Sequence, residues 1–477
     1  MTAAAPAAPP TTTERRSRRA RAAARDDDHD DGEVVRAHLR ACGCSPPPAA
    51  ATPDSDGTPD AEELLTLLHE IAVHRPLVSR VIRDHAGALL ADPQLAEQVR
   101  RVLRHLVSCR TEGLGGHLVR CESCGQKELV YHACRDRHCP TCPAVRALRW
   151  VEVRKQRALD VEHHHAVFTL PGALRPLFFK NQDRLYGEFM KAVADAVRWG
   201  CRRVIGDATP AFTTVLHTWD RRLKFHLHAH VVLAVGGLSL DGSTWVIRGR
   251  GECFLPADEA LRERFRDALL ARVQKLRAAG QLVLPPACSD ADLDAILARQ
   301  AKRRWHVYSK KTLRSDRAYE YLGRYARRVG LSSARIVAYD GERVTFVTKG
   351  GKTTTITGAE LVRRLALHVL PRGFVRLRHY GLFTVRHKAR LALARQRIAE
   401  QGLGCGYAAV LEGDDEQSAD LAEDAAWQDV VRERLGFDPD VCRACKARAL
   451  VRVPIAPSPL LVRRDLERVM RRRRAPP

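Results

Sequence analysis

Three histidines alternate with apolar residues at His226-Leu227-His228-Ala229-His230. In an extended strand, residues two apart point to one face, so this pattern predicts three imidazoles on one side of a strand. Each imidazole needs a partner for its ring nitrogens, which makes such a row a poor core filler and a good cradle for a metal or an acidic ligand. His217 lies eleven residues before His228, across the link Asp220-Arg221-Arg222-Leu223-Lys224. A hairpin centred between Arg222 and Leu223 sets His217 directly opposite His228, with Cβ atoms about 4.5–5.5 Å apart. His217, His228 and His230 are therefore the expected ligands of one divalent ion, with positions left open for a substrate oxygen. Tyr321 and Tyr325, four apart on a short basic helix, share a face. Arg324, Arg327 and Arg328 surround them, a setting suited to phosphate. A tyrosine hydroxyl, with a pKa of about 10, becomes an effective nucleophile when a polarised phosphodiester is presented to it.

A second constellation is made of cysteines. Cys121 and Cys124 form one C-x2-C pair and Cys139 and Cys142 another, with fourteen residues between the pairs. Two such knuckles supply the four thiolates of a tetrahedral zinc site, so Cys121, Cys124, Cys139 and Cys142 are the expected ligands of a structural Zn2+. Cys134, His117 and His138 lie close enough to substitute or to hold a second ion, but read better as packing residues around the site. Cys442 and Cys445 make half a site with no second pair near them in sequence, and surface thiols explain them at least as well as metal.

The elements that must position these groups follow from periodicity. Leu95, Val99, Val102, Leu103 and Leu106 mark a helix before the cysteine block. Residues 164–171 read as a strand and 173–200 as a helix. Residues 212–219 and 225–237 read as two strands joined by a short polar link. A helix is expected at 258–278, followed by the charged segment Lys302-Arg303-Arg304-Trp305, in which an aromatic beside cations is placed to stack a base. A helix bearing the tyrosines stops at Gly330. A hairpin with Gly350-Gly351 at its turn and one more helix follow. Strands and helices interleave around a mostly antiparallel sheet, an α+β arrangement. Residues 1–60 form an Ala/Pro/Arg/Asp-rich leader that cannot bury a core. Residues 61–145 form a helical and zinc-binding region, 146–385 the catalytic region, and 386–477 a basic C-terminal region.

Composition narrows the function classes. The chain has 477 residues, with 80 Lys and Arg against 56 Asp and Glu, a formal charge of +24. Its isoelectric point is near 9.9. That excess points to a polyanionic partner, nucleic acid before membrane. No apolar run reaches transmembrane length and no export signal is visible, so the expected setting is the cytoplasm, on DNA. Fourteen cysteines in such a chain fit metal sites or buried thiols better than disulfides.

Several segments in order carry a resemblance. The knuckle block, then HAVFTLPGALRPLF, LHTW before the histidines, YLGRYARRVGLSSARI and HVLPRGFVRLRHYGL resemble the rolling-circle transposases of the insertion sequence 91 family. These are two-tyrosine members of the HUH endonuclease superfamily, named for the histidine–hydrophobe–histidine unit matched here by His228-Ala229-His230. The resemblance spans roughly residues 100–385. It implies an HUH endonuclease-like central antiparallel sheet with flanking helices, preceded by a small zinc-ribbon-like domain. It also implies cleavage of single-stranded DNA at transposon ends and target by Tyr321 or Tyr325, through a 5′-phosphotyrosine link. Mg2+ or Mn2+ would serve catalysis and Zn2+ structure, with no nucleotide cofactor and no membrane partner. The chain departs from the family pattern at Asp220-Arg221, where Gly-Gln is common. Two other readings fit part of these residues: a replication initiator or relaxase of the same superfamily, and a zinc-ribbon DNA-binding protein that cuts nothing.

Overall fold

The computed structural model describes residues 77–142, 158–247, 255, 258–286, 288–313, 330–405, 432 and 438–457. In chain order, α1 (Leu77–Leu90) and α2 (Glu97–Ser108) precede the strands β1 (Gly116–Cys121) and β2 (Lys127–Tyr131). Next come β3 (His163–Thr169), α3 (Arg175–Lys180), α4 (Gln182–Ile205), β4 (Ala211–Trp219) and β5 (Phe225–Ala234). The short strands β6 (Gly237–Leu238) and β7 (Trp245–Val246) lead to α5 (Asp258–Ala278), α6 (Asp290–Lys302) and β8 (His306–Leu313). Then follow β9 (Ile336–Tyr339), β10 (Arg343–Val347), β11 (Thr353–Thr357), α7 (Gly358–Ala366), β12 (Leu377–Gly381), α8 (Lys388–Glu400) and β13 (Leu450–Ile455).

The central sheet has five strands in the order β12-β4-β5-β3-β8, with every neighbouring pair antiparallel. Alternation along its strands decides its two faces. Phe212 and Leu216 of β4, Leu227, Ala229, Val231 and Leu233 of β5, and Ala166 and Phe168 of β3 all join the main apolar core. The 24-residue α4 covers that face with Leu185, Phe189, Met190, Val193 and Val197, and α5 adds Leu261, Phe265, Leu269 and Val273. Phe265 meets Phe168, Phe189 and Trp305 edge-on at ring-centroid distances of 5.2, 5.5 and 5.3 Å. The other face carries His217, His228 and His230, because these are the alternate residues of the same strands.

A second apolar cluster joins the beginning of the described chain to its later part. Val78, Val81, Ile82, Val102, Leu103 and Leu106 of α1 and α2 pack with Ile336, Val344, Phe346, Leu361, Val362 and Leu365. The hairpin of β10 and β11 turns at Gly350 and Gly351, both at positive φ, as the Gly-Gly dipeptide predicts. Leu223, fully buried at the tip of the histidine hairpin, inserts into this cluster. The charged segment after α6 departs from the sequence expectation: it runs straight into β8, an edge strand of the central sheet.

Candidate active site and cysteine clusters

The β4–β5 hairpin has the register that the spacing predicts, with His217 opposite His228 and Val215 opposite His230. Asp220 builds its turn. The carboxylate accepts the backbone N–H groups of Arg222 and Lys224 at 2.9 and 2.8 Å, and Leu223 takes a positive φ of 59°. One nitrogen from each of His217, His228 and His230 lies within 4.8 Å of the others. Among the described residues this is the histidine group that could hold a metal ion. A β-bulge lies just before the turn, and the His226 ring stays in the row, 5.1 Å from that of His228, without joining the ligand group. The Arg175 guanidinium instead donates to His226 Nδ1 at 2.7 Å, leaving a cation beside the triad.

The surroundings fix both orientation and charge of the ligands. His228 Nδ1–H donates to the His226 carbonyl at 2.9 Å, which turns Nε2 toward the group. His230 Nδ1 meets His165 Nε2 at 3.1 Å, and the two rings stack with centroids 5.3 Å apart. His165, on neighbouring β3, was not singled out by the sequence. It lies two residues before Val167, the register partner of His230, a relation that only the folded sheet shows. Burial pushes the His228 imidazole down to about 4, with smaller contributions from its neighbours. Burial and the neighbouring histidines push His230 well below its ordinary value. The His228 and His230 rings are therefore held neutral near pH 7, the form a metal needs. Trp219 stacks on His217 at 5.0 Å and 15°, and the Arg376 guanidinium lies 5.8 Å from the Trp219 ring centre.

The cysteines gather differently from the expectation. Cys121 and Cys124 do not meet Cys139 and Cys142. One cluster is Cys109, Cys134, Cys139 and Cys142; the other is Cys121, Cys124, Cys442 and Cys445. The physical reason is the β1–β2 hairpin, which carries the first knuckle away on its own turn, while Cys109 at the end of α2 faces the second. In the first cluster Cys109 Sγ lies 3.1 Å from Cys142 and 3.7 Å from Cys139, and Cys134 lies 3.6 Å from Cys142. These separations exceed a disulfide bond of about 2.05 Å and suit thiolates sharing an ion. Cys134 is thus a member of the cluster and not a packing residue. His117 instead packs edge-on against His132.

Around this cluster, Asp136 accepts from His138 and His105 at 2.9 Å each. Burial works against its charge, but these hydrogen bonds outweigh it and hold the carboxyl well below the usual range. His138 Nε2 accepts the Leu370 N–H at 3.1 Å, and the Arg137 guanidinium donates to the carbonyls of Pro371 and Phe374. Two residues earlier, His368 bridges Thr218 Oγ1 and the Leu223 carbonyl in the histidine hairpin. Residues 368–374 therefore tie the cysteine loop to the hairpin that carries the triad.

Two family models match the chain over the regions that carry the histidine triad and the Cys109 cluster. A family model described as "Transposase zinc-binding domain" matches residues 81–170, and one described as "Putative transposase" matches 211–390. A protein of Sinorhizobium fredii (strain NBRC 101917 / NGR234) named "Putative transposase y4qJ" is 34% identical over 332 residues, 66% of this chain and 81% of that one. The "Transposase for insertion sequence element IS801" of Pseudomonas savastanoi pv. phaseolicola is 28% identical over 330 residues, 65% of this chain and 77% of that one. The chain belongs to the insertion sequence 91 family of transposases. No solved structure matches it.

Transposition, DNA as partner and an N-terminal zinc-binding module follow from that membership. The zinc-binding match contains the whole Cys109 cluster and half of the other. Among the described residues, no helix of the transposase is long and apolar enough to cross a membrane. Tyr321, Tyr325, Arg324, Arg327 and Arg328 lie outside the described residues. Lys302, Arg303 and Arg304 are exposed, and Arg304 pairs with Glu259 at 3.1 Å. Trp305 corrects the base-stacking expectation. It is 3% exposed, its Nε1–H donates to the Gln300 carbonyl at 3.0 Å, and its ring closes the core against Phe265. A residue amid cations reads as exposed in sequence, but the turn from α6 into β8 aims this one inward.

Proposed function

We propose that this transposase cuts and rejoins single-stranded DNA by HUH chemistry, in a rolling-circle type of transposition. His217, His228 and His230 would hold one divalent ion, and Tyr321 or Tyr325 would be the nucleophile. The observation that carries the reading is the triad: three imidazoles, two of them buried, converging from two adjacent strands of a five-stranded antiparallel sheet. A bound Mg2+ or Mn2+ would polarise the scissile phosphate and offset charge on its non-bridging oxygens. Imidazoles are softer than the oxygen ligands Mg2+ prefers, so the donor set fits Mn2+ better. Cys109, Cys134, Cys139 and Cys142 are the proposed ligands of the structural zinc in the N-terminal module.

The remaining chemistry belongs to the chain. The tyrosine oxygen forms a new bond to phosphorus as the bond to the 3′ oxygen breaks. The phenolic proton passes to solvent, and the leaving oxygen ends as a 3′-hydroxyl. The number of phosphoester bonds is unchanged, so rejoining needs no nucleotide cofactor. The second tyrosine can then cut a second site. The described chain leaves the sheet at Leu313, paired with His163, and resumes at Gly330. A Cβ at Gly330 would come within 2.1 Å of Trp219 Cδ1, so this glycine lies flat on the ring that stacks on His217. The segment bearing both tyrosines thus ends beside the triad, which supports the assignment. Arg175 and Arg376 supply nearby positive charge for a phosphodiester, and Arg324, Arg327 and Arg328 are proposed to add more.

The test uses single-stranded oligonucleotides from the flanks of the gene, with the matching duplexes as controls. Cleavage should need Mn2+ or Mg2+, stop with EDTA, spare the duplex, and fall at least about 100-fold in His228→Ala. Cleavage that survives EDTA, or full activity in His228→Ala, would overturn the reading.

A further inference from the structure

The cluster of Cys121, Cys124, Cys442 and Cys445 joins two parts of the chain more than three hundred residues apart. Cys121 Sγ lies 3.6 Å from Cys445, and Cys124 Sγ lies 3.7 Å from Cys442. Tetrahedral zinc with Zn–S bonds of about 2.3 Å places its sulfurs about 3.8 Å apart. A disulfide would need about 2.05 Å.

The backbone makes an independent case, because the two knuckles are copies of one another. In the first, the Cys121 N–H donates to the Gln126 carbonyl and the Gly125 N–H donates back to the Cys121 carbonyl, both at 2.9 Å. In the second, the Cys442 N–H donates to the Ala447 carbonyl and the Lys446 N–H donates back to the Cys442 carbonyl, both at 2.9 Å. The residue after each second cysteine has positive φ, 75° at Gly125 and 63° at Lys446. Glycine takes that conformation without strain, whereas lysine does not, so something must hold the second loop in the shape of the first.

The sheet around them cannot hold itself by burial. β13 pairs antiparallel with β1 over six residues, from Gly116 opposite Ile455 to Cys121 opposite Leu450, and β2 flanks β1 on its other side. No residue of β13 or β2 is buried, and Val130 and Val453 are 43% and 46% exposed. A three-stranded sheet with so little apolar burial needs a staple, and a metal is the usual one where thiols are free.

We propose that Cys121, Cys124, Cys442 and Cys445 bind a second structural Zn2+. That ion completes a zinc ribbon whose halves come from the two ends of the described chain and clamps residues 438–457 onto the N-terminal module. Cys442 and Cys445 lie outside both matched family regions, so the match assigns them no role. The claim is independent of the histidine triad.

The experiment counts zinc in the full-length chain by elemental analysis, in a His228→Ala/His230→Ala background so that the triad does not contribute. Two equivalents are expected. Cys442→Ser/Cys445→Ser and Cys121→Ser/Cys124→Ser should each retain one. Combining the first pair with the second should still retain one, and combining it with Cys139→Ser/Cys142→Ser should retain none. Hydrogen exchange should show amides 450–455 deprotected in Cys442→Ser/Cys445→Ser while the β4–β5 amides stay protected. An unchanged zinc count in that variant would overturn the proposal. If the variant does not fold, the unaltered zinc-loaded chain decides by thiol alkylation with mass-spectrometric mapping. The four cysteines should resist N-ethylmaleimide together and react together after chelation. Reaction of Cys442 and Cys445 while Cys121 and Cys124 remain protected would refute it.

Discussion

Replacing His165 with phenylalanine should weaken metal binding without touching a ligand. His165 is 5% exposed, and its ring lies almost parallel to that of His230, at 8°. Phenylalanine keeps a ring of similar size in that stack, so the packing change is small. What it removes is the 3.1 Å hydrogen bond to His230 Nδ1, the contact that sets which His230 nitrogen faces the site. Losing a hydrogen-bond partner in a buried site costs about 1–3 kcal/mol. At about 1.4 kcal/mol per factor of ten, that is roughly 5- to 150-fold in affinity. Residues that orient metal-bound histidines elsewhere are worth about 10- to 100-fold, which narrows the expectation. The assay is titration with Mn2+, followed by electron paramagnetic resonance and by the rate of oligonucleotide cleavage. His165→Phe should need about 10- to 100-fold more Mn2+ for half-maximal cleavage. Its rate at saturating metal should stay near that of the unaltered chain, whereas His230→Ala should not be rescued. If His165→Phe folds normally and its metal requirement is unchanged, the orientation argument is wrong.

Other perturbations separate structure from chemistry. Trp305→Ala should cost about 3–5 kcal/mol of stability, read from denaturant midpoints. If it kept full stability and lost DNA affinity instead, the core assignment would fail. Asp220→Ala removes two charge-assisted turn hydrogen bonds and should cost about 2 kcal/mol, lowering the cleavage rate more than DNA affinity. Acid should unfold the protein early. Burial pushes His163, His164 and His368 down to about 4. The unfolded chain therefore binds more protons as pH falls from about 6.5 toward 4, and stability present above that window is lost within it. At pH 5 the loss is about 2 kcal/mol per histidine, visible in denaturant midpoints measured between pH 7.5 and 5. A flat profile there would contradict the buried-neutral assignment.

The histidine hairpin was legible because two local rules fix it. Strand alternation places His228 and His230 on one face, and the polar link is short enough to set the register of His217. The cysteine pairing was not legible for the opposite reason. A C-x2-C knuckle announces a pair, but which pairs meet depends on tertiary approach, and Cys109 stands alone at a helix end while Cys442 and Cys445 are remote in sequence. Trp305 was misread because its neighbours are cations, although the aromatic belongs to the core on which α5 rests. The HVLPRGF segment carried a family resemblance with no readable task. Its work, from His368 on the hairpin to Leu370 on His138, exists only once both partners are folded.

The central claim is that a tyrosine between Leu313 and Gly330 becomes joined to DNA beside the triad. The most direct measurement incubates the full-length chain and Mn2+ with a single-stranded element end labelled on the 3′ side of the cut. The adduct is resolved on a denaturing gel, digested and mapped by mass spectrometry. The account predicts a 5′-phosphotyrosyl peptide at Tyr321 or Tyr325, absent from the Tyr321→Phe/Tyr325→Phe variant and from EDTA-treated samples. An adduct on any other residue, or strand transfer that persists in the double variant, would contradict it.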